Sequence, residues 1–364
     1  MQDLVELTLE LSLATLDSNF AWRQAACFAP VNRAMRGIVD RWRQYVQELH
    51  LISVASDAEM WLLASRCTRL RRLSVTAPDQ CFEEDEEGNS NNDSFVLSGF
   101  ALTAIGFGCQ NLESVRLQCT DFWHDREIHG LVHRLRHLRD FELDESLGFE
   151  QYDLCGDFIQ SLANSCPLLE RLVLPSFVKH RMALLGNSWP LLRELHAGFA
   201  GVSSQTLCDI SNSSHNLQHL NLSHARVGDQ GVLALARNCT QLAVLLLDCG
   251  SDADGLSDAS IVPLARSCPH LRELDLFYAT SDKEERAFTD ASVLALGAHC
   301  PQITYLSLGH ARCITDVAAT SLLHEFPVLI QLDLWNCLGF TDTHYQALDE
   351  KVGFRRRTRS RWVR

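Results

Sequence analysis

The sequence predicts an α/β solenoid, in which about eleven strand–turn–helix repeats stack behind a small helical N-terminal cap. Three observations support this prediction. The apolar pattern L-x-x-L-x-L returns along most of the 364-residue chain, a Thr-Asp, Ser-Asp or Gly-Asp pair follows several copies, and a cysteine precedes many of them. A chain of this length also approaches the limit of one compact core, which favours a repeat array or two domains.

The first leucine of each copy marks a repeat, and its spacing indicates the repeat class. The equivalents are Val46, Leu70, Leu112, Leu138, Leu169, Leu192, Leu217, Leu242, Leu271, Ile303 and Leu329. Most intervals are about 23 to 32 residues, which is the range of leucine-rich repeats. The sequence therefore predicts a leucine-rich-repeat solenoid over residues 46–352, with a helical cap at residues 1–45 that covers the apolar end of the first repeat.

Each repeat has a strand half and a helix half. The L-x-x-L-x-L half alternates apolar and polar residues, as a strand with one buried face does. In the turn, oxygens of a pair such as Thr289-Asp290 can accept hydrogen bonds from the free N–H groups that begin a helix. The stretch TDASVLALGAHC predicts a helix with Val293, Leu294, Leu296 and Cys300 on or near its buried face. Stacking should place the strands on the concave side and the helices on the convex side.

Cysteines stand three residues ahead of the anchor leucine in six repeats: Cys67, Cys109, Cys166, Cys239, Cys268 and Cys300. Other repeats have Leu135, Trp189, Ser214 or Phe326 at that position. A position that accepts such residues is a packing slot, and thiols are small and commonly buried. The acidic start MQDLVELTLELSL does not fit an export signal, so we expect reduced thiols and a cytoplasmic or nuclear location.

The repeat consensus resembles a known family. Cys-Pro-x-Leu-x-x-Leu-x-Leu, then a second Cys and Thr-Asp, is similar to the cysteine-containing leucine-rich repeats of F-box proteins, as in FPVLIQLDLWNCLGFTD. The resemblance covers roughly residues 46–352. It implies an F-box-like cap at residues 1–45, where LATLD and VNRAMR match the F-box in part. Asn32 replaces the usual Cys, Met35 replaces the usual Trp, and the Leu-Pro start is absent.

The resemblance also implies a function and partners. An F-box docks on a Skp-family adaptor and so joins a cullin ligase, and the chain would then be the non-catalytic substrate-recognition subunit of an SCF-type E3 ubiquitin ligase. The implied adaptor contacts are Leu9, Leu11, Leu13, Leu16, Phe20 and Val31. The alternative is a ligase-independent interaction scaffold, in which residues 1–45 only cap the repeats.

Two segments and the net charge bear on other partners. The run EEDEEGNSNNDS predicts a disordered acidic loop near residues 82–94, and RRRTRSRWVR forms a basic tail within residues 353–364. Such a tail can hold nucleic acid or an acidic partner, or be a solvated end. The net charge of −14 repels phosphate backbones and argues against general nucleic-acid binding. No apolar run approaches the roughly 20 residues of a membrane helix, so we expect no membrane association.

The sequence offers no motif for catalysis, and we expect neither enzyme activity nor a cofactor. It contains no Gly-rich phosphate loop, no HExxH and no nucleophile elbow. The best metal-like cluster is His129, His133 and His137, which share one helical face. Because Leu131 and Val132 belong to the core stripe of that helix, the histidines should point mostly to solvent, and no metal site is predicted.

A partner surface is predicted on the concave face of the last repeats. Its residues are Asp275, Phe277, Tyr278, Tyr305, His310, Asp333 and Trp335. Aromatic residues concentrate interface energy, and carboxylates favour Lys or Arg on the partner. We predict a pocket with aromatic walls and an acidic floor for a target protein. The alternative is that these are ordinary exposed aromatics.

Overall fold

The computed structural model describes eleven stretches of the chain: residues 47–52, 64–65, 67–76, 99–118, 125–144, 156–174, 189–197, 202–222, 225–247, 255–277 and 288–352. The chain forms two compact units, Met1–Pro175 and Ser176–Arg364, called here the N-terminal and C-terminal units. The predicted cap at 1–45, the acidic loop near 82–94 and the basic tail at 353–364 lie outside the described residues.

The N-terminal unit contains strand–helix repeats. Its strands, which pair in parallel in chain order, are β1 Glu48–Ile52, β2 Arg72–Thr76, β3 Ser114–Gln118, β4 Asp140–Asp144 and β5 Arg171–Val173. The described helices of this unit are α1 Gly99–Gly108, α2 Asp125–Val132 and α3 Gly156–Ser165. Consecutive strands therefore lie side by side, and the described helices α1, α2 and α3 follow β2, β3 and β4 as the connections of parallel strands.

The C-terminal unit repeats the same order. Its parallel strands are β6 Glu194–His196, β7 His219–Asn221, β8 Val244–Leu246, β9 Glu273–Asp275, β10 Tyr305–Ser307 and β11 Gln331–Asp333. Its described helices are α4 Ser204–Ser213, α5 Asp229–Asn238, α6 Asp258–Ser267, α7 Asp290–His299, α8 Asp316–His324 and α9 Asp342–Val352. The predicted α/β fold of leucine-rich repeats is thus confirmed. No described helix is long and apolar enough to span a membrane.

The leucines of L-x-x-L-x-L form the core, as predicted. In one repeat Leu271, Leu274 and Leu276 are all 0% exposed, and Leu274 stands in register with Leu245 and Leu306 on the neighbouring strands. Full burial of such a side chain contributes roughly 1.5–3 kcal/mol. The rows of buried leucines therefore hold each strand against its helix layer.

The cysteine slot is also confirmed as a packing position. Cys239, Cys268 and Cys300 end α5, α6 and α7, and all three are 0% exposed. Each thiol lies against a carbonyl of the preceding repeat, for example Cys300 Sγ at 3.4 Å from the Ala265 oxygen. Burial raises the pKa of each of these thiols to about 12, so the thiolate is negligible at neutral pH.

The Thr-Asp and Ser-Asp pairs begin the helices, as predicted, and their aspartates do more. The hydroxyls of Ser257 and Thr289 accept from backbone N–H groups in the first turns of α6 and α7. The neighbouring Asp258 accepts from the Thr289 N–H at 2.9 Å and the Thr289 hydroxyl at 2.7 Å in the following repeat. Asp229, Asp290 and Asp316 accept equivalent bonds from the next repeat. This ladder of aspartates between repeats was not predicted from the sequence.

One predicted core residue of α7 is misplaced. Leu294 is 38% exposed, whereas Ser292, Val293, Leu296 and Gly297 are buried. The four buried residues are one or four positions apart and therefore lie on one face of α7. Leu294 follows Val293 by one position, which turns its side chain about 100° further round the helix and out of that face. The apolar character of Leu294 therefore did not indicate burial.

Candidate partner-binding face

The side chains that flank the buried leucine of each strand form the open face of the sheet, on the side away from the core. In the C-terminal unit, the six strands read ELH, HLN, VLL, ELD, YLS and QLD. They contain no Lys or Arg, and their acidic residues are Glu194, Glu273, Asp275 and Asp333. Arg193 and Arg272 stand just before their strands. The open face of this unit therefore carries carboxylates without a strand-borne arginine or lysine.

The open face of the N-terminal unit has the opposite character, because its strands carry arginines as well as carboxylates. Arg116 Nη2 lies 3.1 Å from Asp140 on the next strand, and Arg171 Nη1 lies 2.9 Å from Asp140 and 2.5 Å from Glu142. Arg72 also pairs with Glu48. Two guanidinium groups thus flank the Asp140 and Glu142 carboxylates of β4 and compensate their charge.

Aromatic residues pack together where β9, β10 and β11 end. The rings of Phe277 and Trp335 are stacked, with centroids 5.6 Å apart and planes at 16°. These residues occupy equivalent positions two repeats apart, and the residue at the same position between them is Gly309. A Cβ at Gly309 would lie 2.2 Å from Phe277 Cδ2, so glycine is what allows the two rings to meet. Stacking of this kind contributes about 0.5–1.5 kcal/mol beyond burial.

His310 completes the aromatic cluster. Its ring contacts Trp335 edge-on at 4.5 Å and Phe277 edge-on at 5.6 Å. Its Nδ1 lies 3.0 Å from Nδ2 of Asn336, which is the equivalent residue of the next repeat. Both residues have positive φ, 67° and 59°, a region that Asn and His tolerate better than most residues. We call Phe277, His310 and Trp335 the aromatic ridge; all three side chains are half-buried.

Carboxylates lie beside the aromatic ridge. Asp275 accepts from the Phe277 N–H at 2.9 Å and from the Tyr305 hydroxyl at 3.1 Å. Asp333 accepts from the Trp335 N–H at 2.9 Å. Burial and the charge of Asp275 raise the pKa of Tyr305, so the phenol remains a hydrogen-bond donor. Neutral donors orient the Asp275 carboxylate and leave its negative charge in place.

The histidines His129 and His133 lie side by side, and their Nδ1 atoms contact other groups. Rings of His129 and His133 stack at 5.6 Å, but Nδ1 of His129 lies 2.7 Å from the Ser161 hydroxyl. Nδ1 of His133 lies 3.3 Å from the Gly130 carbonyl oxygen. In the part of the chain that the structure describes, no group of three His, Cys, Asp or Glu residues could hold a metal ion.

Comparison with known proteins identifies the repeats. A family model described as "Leucine Rich repeat" matches residues 213–236, which begin at the last residue of α4 and include β7 and most of α5.

The strand–helix repeats of this chain form a leucine-rich-repeat fold.

Two curated relatives come from Arabidopsis thaliana. Coronatine-insensitive protein 1 is 24% identical to this leucine-rich-repeat protein over 208 residues, which cover 55% of this chain and 34% of the relative. F-box protein FBX14 is 26% identical over 185 residues, which cover 48% of this chain and 27% of the relative. The match thus spans about a third or less of each relative's length. The resemblance to F-box leucine-rich-repeat proteins is confirmed at the level of the family.

A solved structure is also similar. A chain in the crystal structure of the Rad7 and Elc1 complex in yeast superposes with a TM-score of 0.48 and 17% sequence identity. The superposition covers 88% of this chain and 86% of that chain. At that score the likeness carries no conclusion.

Most of the predicted partner-binding residues of the leucine-rich-repeat protein come together. The residues that lie in the cluster are Asp275, Phe277, Tyr305, His310, Asp333 and Trp335. Tyr278 and the predicted adaptor contacts, Leu9, Leu11, Leu13, Leu16, Phe20 and Val31, lie outside the described residues. The predicted aromatic walls differ from the structure: the rings stack on each other across Gly309 and form a ridge with acidic groups beside it.

Two residues that shape this site were not among the predicted partner-binding residues. Gly309 and Asn336 carry no chemistry that draws attention in a single repeat. Aligning the last three repeats on their leucines would have placed Gly309 between Phe277 and Trp335. The informative signal was therefore the set of residues at one equivalent position in successive repeats.

Proposed function

We propose that this protein is the substrate-recognition subunit of an SCF-type ubiquitin ligase and does no chemistry itself. It would hold a target protein on the open face of β9 to β11 and join a Skp-family adaptor and a cullin ligase through residues 1–45. Similarity to an F-box protein supports the ligase half of the proposal. A cytoplasmic or nuclear location belongs to the same proposal.

One observation carries the target half of the proposal: carboxylates lie beside an aromatic ridge on strands that contain no Lys or Arg. A cationic side chain can pair with Asp275 or Asp333 and pack on the face of an aromatic ring. The fitting target segment is therefore one that carries Lys or Arg.

The adaptor half is tested with the full chain and a purified Skp-family adaptor. Wild-type protein should bind the adaptor, and the double variant Leu13→Asp, Leu16→Asp should not, because charges would replace apolar docking residues. Circular dichroism shows whether the repeats of the variant remain folded. A wild-type protein that does not bind the adaptor would contradict the ligase role and favour the ligase-independent scaffold.

The target half is tested with Trp335→Ala, which removes one side of the aromatic ridge. A hot-spot residue contributes about 2 kcal/mol or more, so target binding should fall about 30-fold, while adaptor binding should not change. Asp275→Asn should weaken target binding more at low salt than at high salt, because salt screens the charge that the variant removes. Target binding unchanged by both variants would move the site away from this face.

A further inference from the structure

Residues 353–364 are positively charged, whereas the strands of the C-terminal unit contain no Lys or Arg. Residues 353–364 contain six arginines and no acidic residue, although the whole chain has a net charge of −14. Residues 1–352 therefore carry a net charge more negative than that of the whole chain. The tail therefore carries arginines, as the proposed target segment would carry Lys or Arg.

The described part of the chain ends at α9, near residues that precede β11. Helix α9 ends at Val352, and the ammonium group of Lys351 donates to the carbonyl oxygens of Leu322, Leu323 and Phe326 at 2.8–2.9 Å. Phe326 precedes the start of β11 by five residues. These contacts fix the end of α9 near the residues that lead into the last strand of the sheet.

The tail is long enough to reach the aromatic ridge. Twelve extended residues span at most about 40 Å. The path from Phe326 to Trp335 covers nine residues, which is at most about 30 Å if fully extended. Along that path Ile330 is 72% exposed, the largest exposure among the big apolar residues that the structure describes.

We propose that residues 353–364 bind the open face of β9 to β11 in the same molecule, with arginines beside Asp275 and Asp333 and against the aromatic ridge. The tail then competes with a target for the same face. This competition rests on the proposed function. A tethered segment has an effective concentration of roughly the millimolar range, so even weak contacts keep it on the face. A target must bind more tightly than the tail to displace it.

The tail's binding is tested by trypsin cleavage of the full chain, with intact mass used to follow cleavage after Arg357 and Arg359. Cleavage should be at least tenfold faster in the double variant Asp275→Asn, Asp333→Asn than in wild type, because a bound tail is protected. The double variant Asp140→Asn, Glu142→Gln, a matched loss of two carboxylates from the open face of the N-terminal unit, should be cleaved at the wild-type rate. Equal rates for all three proteins would overturn the proposal.

A second measurement does not depend on changing the face. A fluorescent synthetic peptide of residues 353–364 is titrated onto wild type and onto the full chain with Arg355, Arg356, Arg357 and Arg359 each changed to Gln. The Gln variant should bind the peptide at least tenfold more tightly, because its own tail no longer occupies the site. Equal affinity for the two proteins would contradict occupancy by the tail.

The two proposals fail separately. If the tail is unprotected but Trp335→Ala still loses the target, the target site stands and the tail proposal is wrong. If the tail is protected but Trp335→Ala keeps the target, the tail binds and the competition with a target is wrong.

Discussion

The two units of this protein build the same core and present different open faces. Leu172 on β5 and Leu274 on β9 are both 0% exposed at equivalent positions. Beside them, Arg171 lies between Asp140 and Glu142, whereas Asp275 has a phenol and a backbone N–H as its partners on the sheet. One face therefore satisfies its charges internally, and the other keeps carboxylates beside aromatic rings.

This difference separates residues that maintain the fold from residues that we propose for target binding. The buried leucines and cysteines recur because every repeat must close against its neighbours. Open-face positions are not constrained by that packing, so their chemistry varies from repeat to repeat. A charge network that is already paired gains little from a new partner, since the partner must first break it. The C-terminal face has no such competing arginines on its strands.

The largest effect should come from the feature that the units share. Leu274→Ala and Leu172→Ala should each lower the free energy of unfolding by about 2–5 kcal/mol, because each truncation leaves a cavity in a packed core. Urea unfolding followed by circular dichroism measures both. A loss below about 0.5 kcal/mol for either variant would show that the buried rows are not equivalent.

The second-largest loss of stability should come from the paired charges on the open face of the N-terminal unit. Arg171→Gln should cost about 1–2 kcal/mol, because it leaves the neighbouring carboxylates Asp140 and Glu142 with Arg116 alone. Glu273→Gln, on the exposed part of β9, should change stability by less than about 0.5 kcal/mol. Equal losses of stability in the two variants would contradict the difference in charge pairing between the two open faces.

The smallest effect concerns the aspartate ladder of the C-terminal unit. Burial alone would raise the pKa of Asp258, but hydrogen bonds from Ser292 and Thr289 outweigh it and lower the pKa. A lowered pKa stabilises the fold above the unfolded value of about 3.9, and this contribution is lost as pH falls through the folded value. Asp258→Asn should therefore cost about 1 kcal/mol at pH 7 and progressively less below about pH 4. A cost independent of pH, measured by urea unfolding at several pH values, would contradict this origin.

The sequence predicted features that lie within one repeat and missed features that join repeats. The leucine rows, the cysteine slot and the helix-starting pairs follow local patterns that each repeat shows by itself. The bond from Asp258 to Thr289 and the stacking of Phe277 on Trp335 depend on which residues the strand register places side by side. Leu294 was misassigned because apolar character does not specify a direction on the helix.

The most direct test of the account compares one change on each face. Full-length wild type, Trp335→Ala and Glu142→Gln are used at low salt to capture proteins from cell extract, and bound proteins are quantified by mass spectrometry. We expect one set of captured proteins to fall about 30-fold with Trp335→Ala and to remain unchanged with Glu142→Gln, since the first removes a hot spot and the second a self-paired charge. Capture that survives Trp335→Ala but is lost with Glu142→Gln would place the target on the N-terminal face and contradict the account.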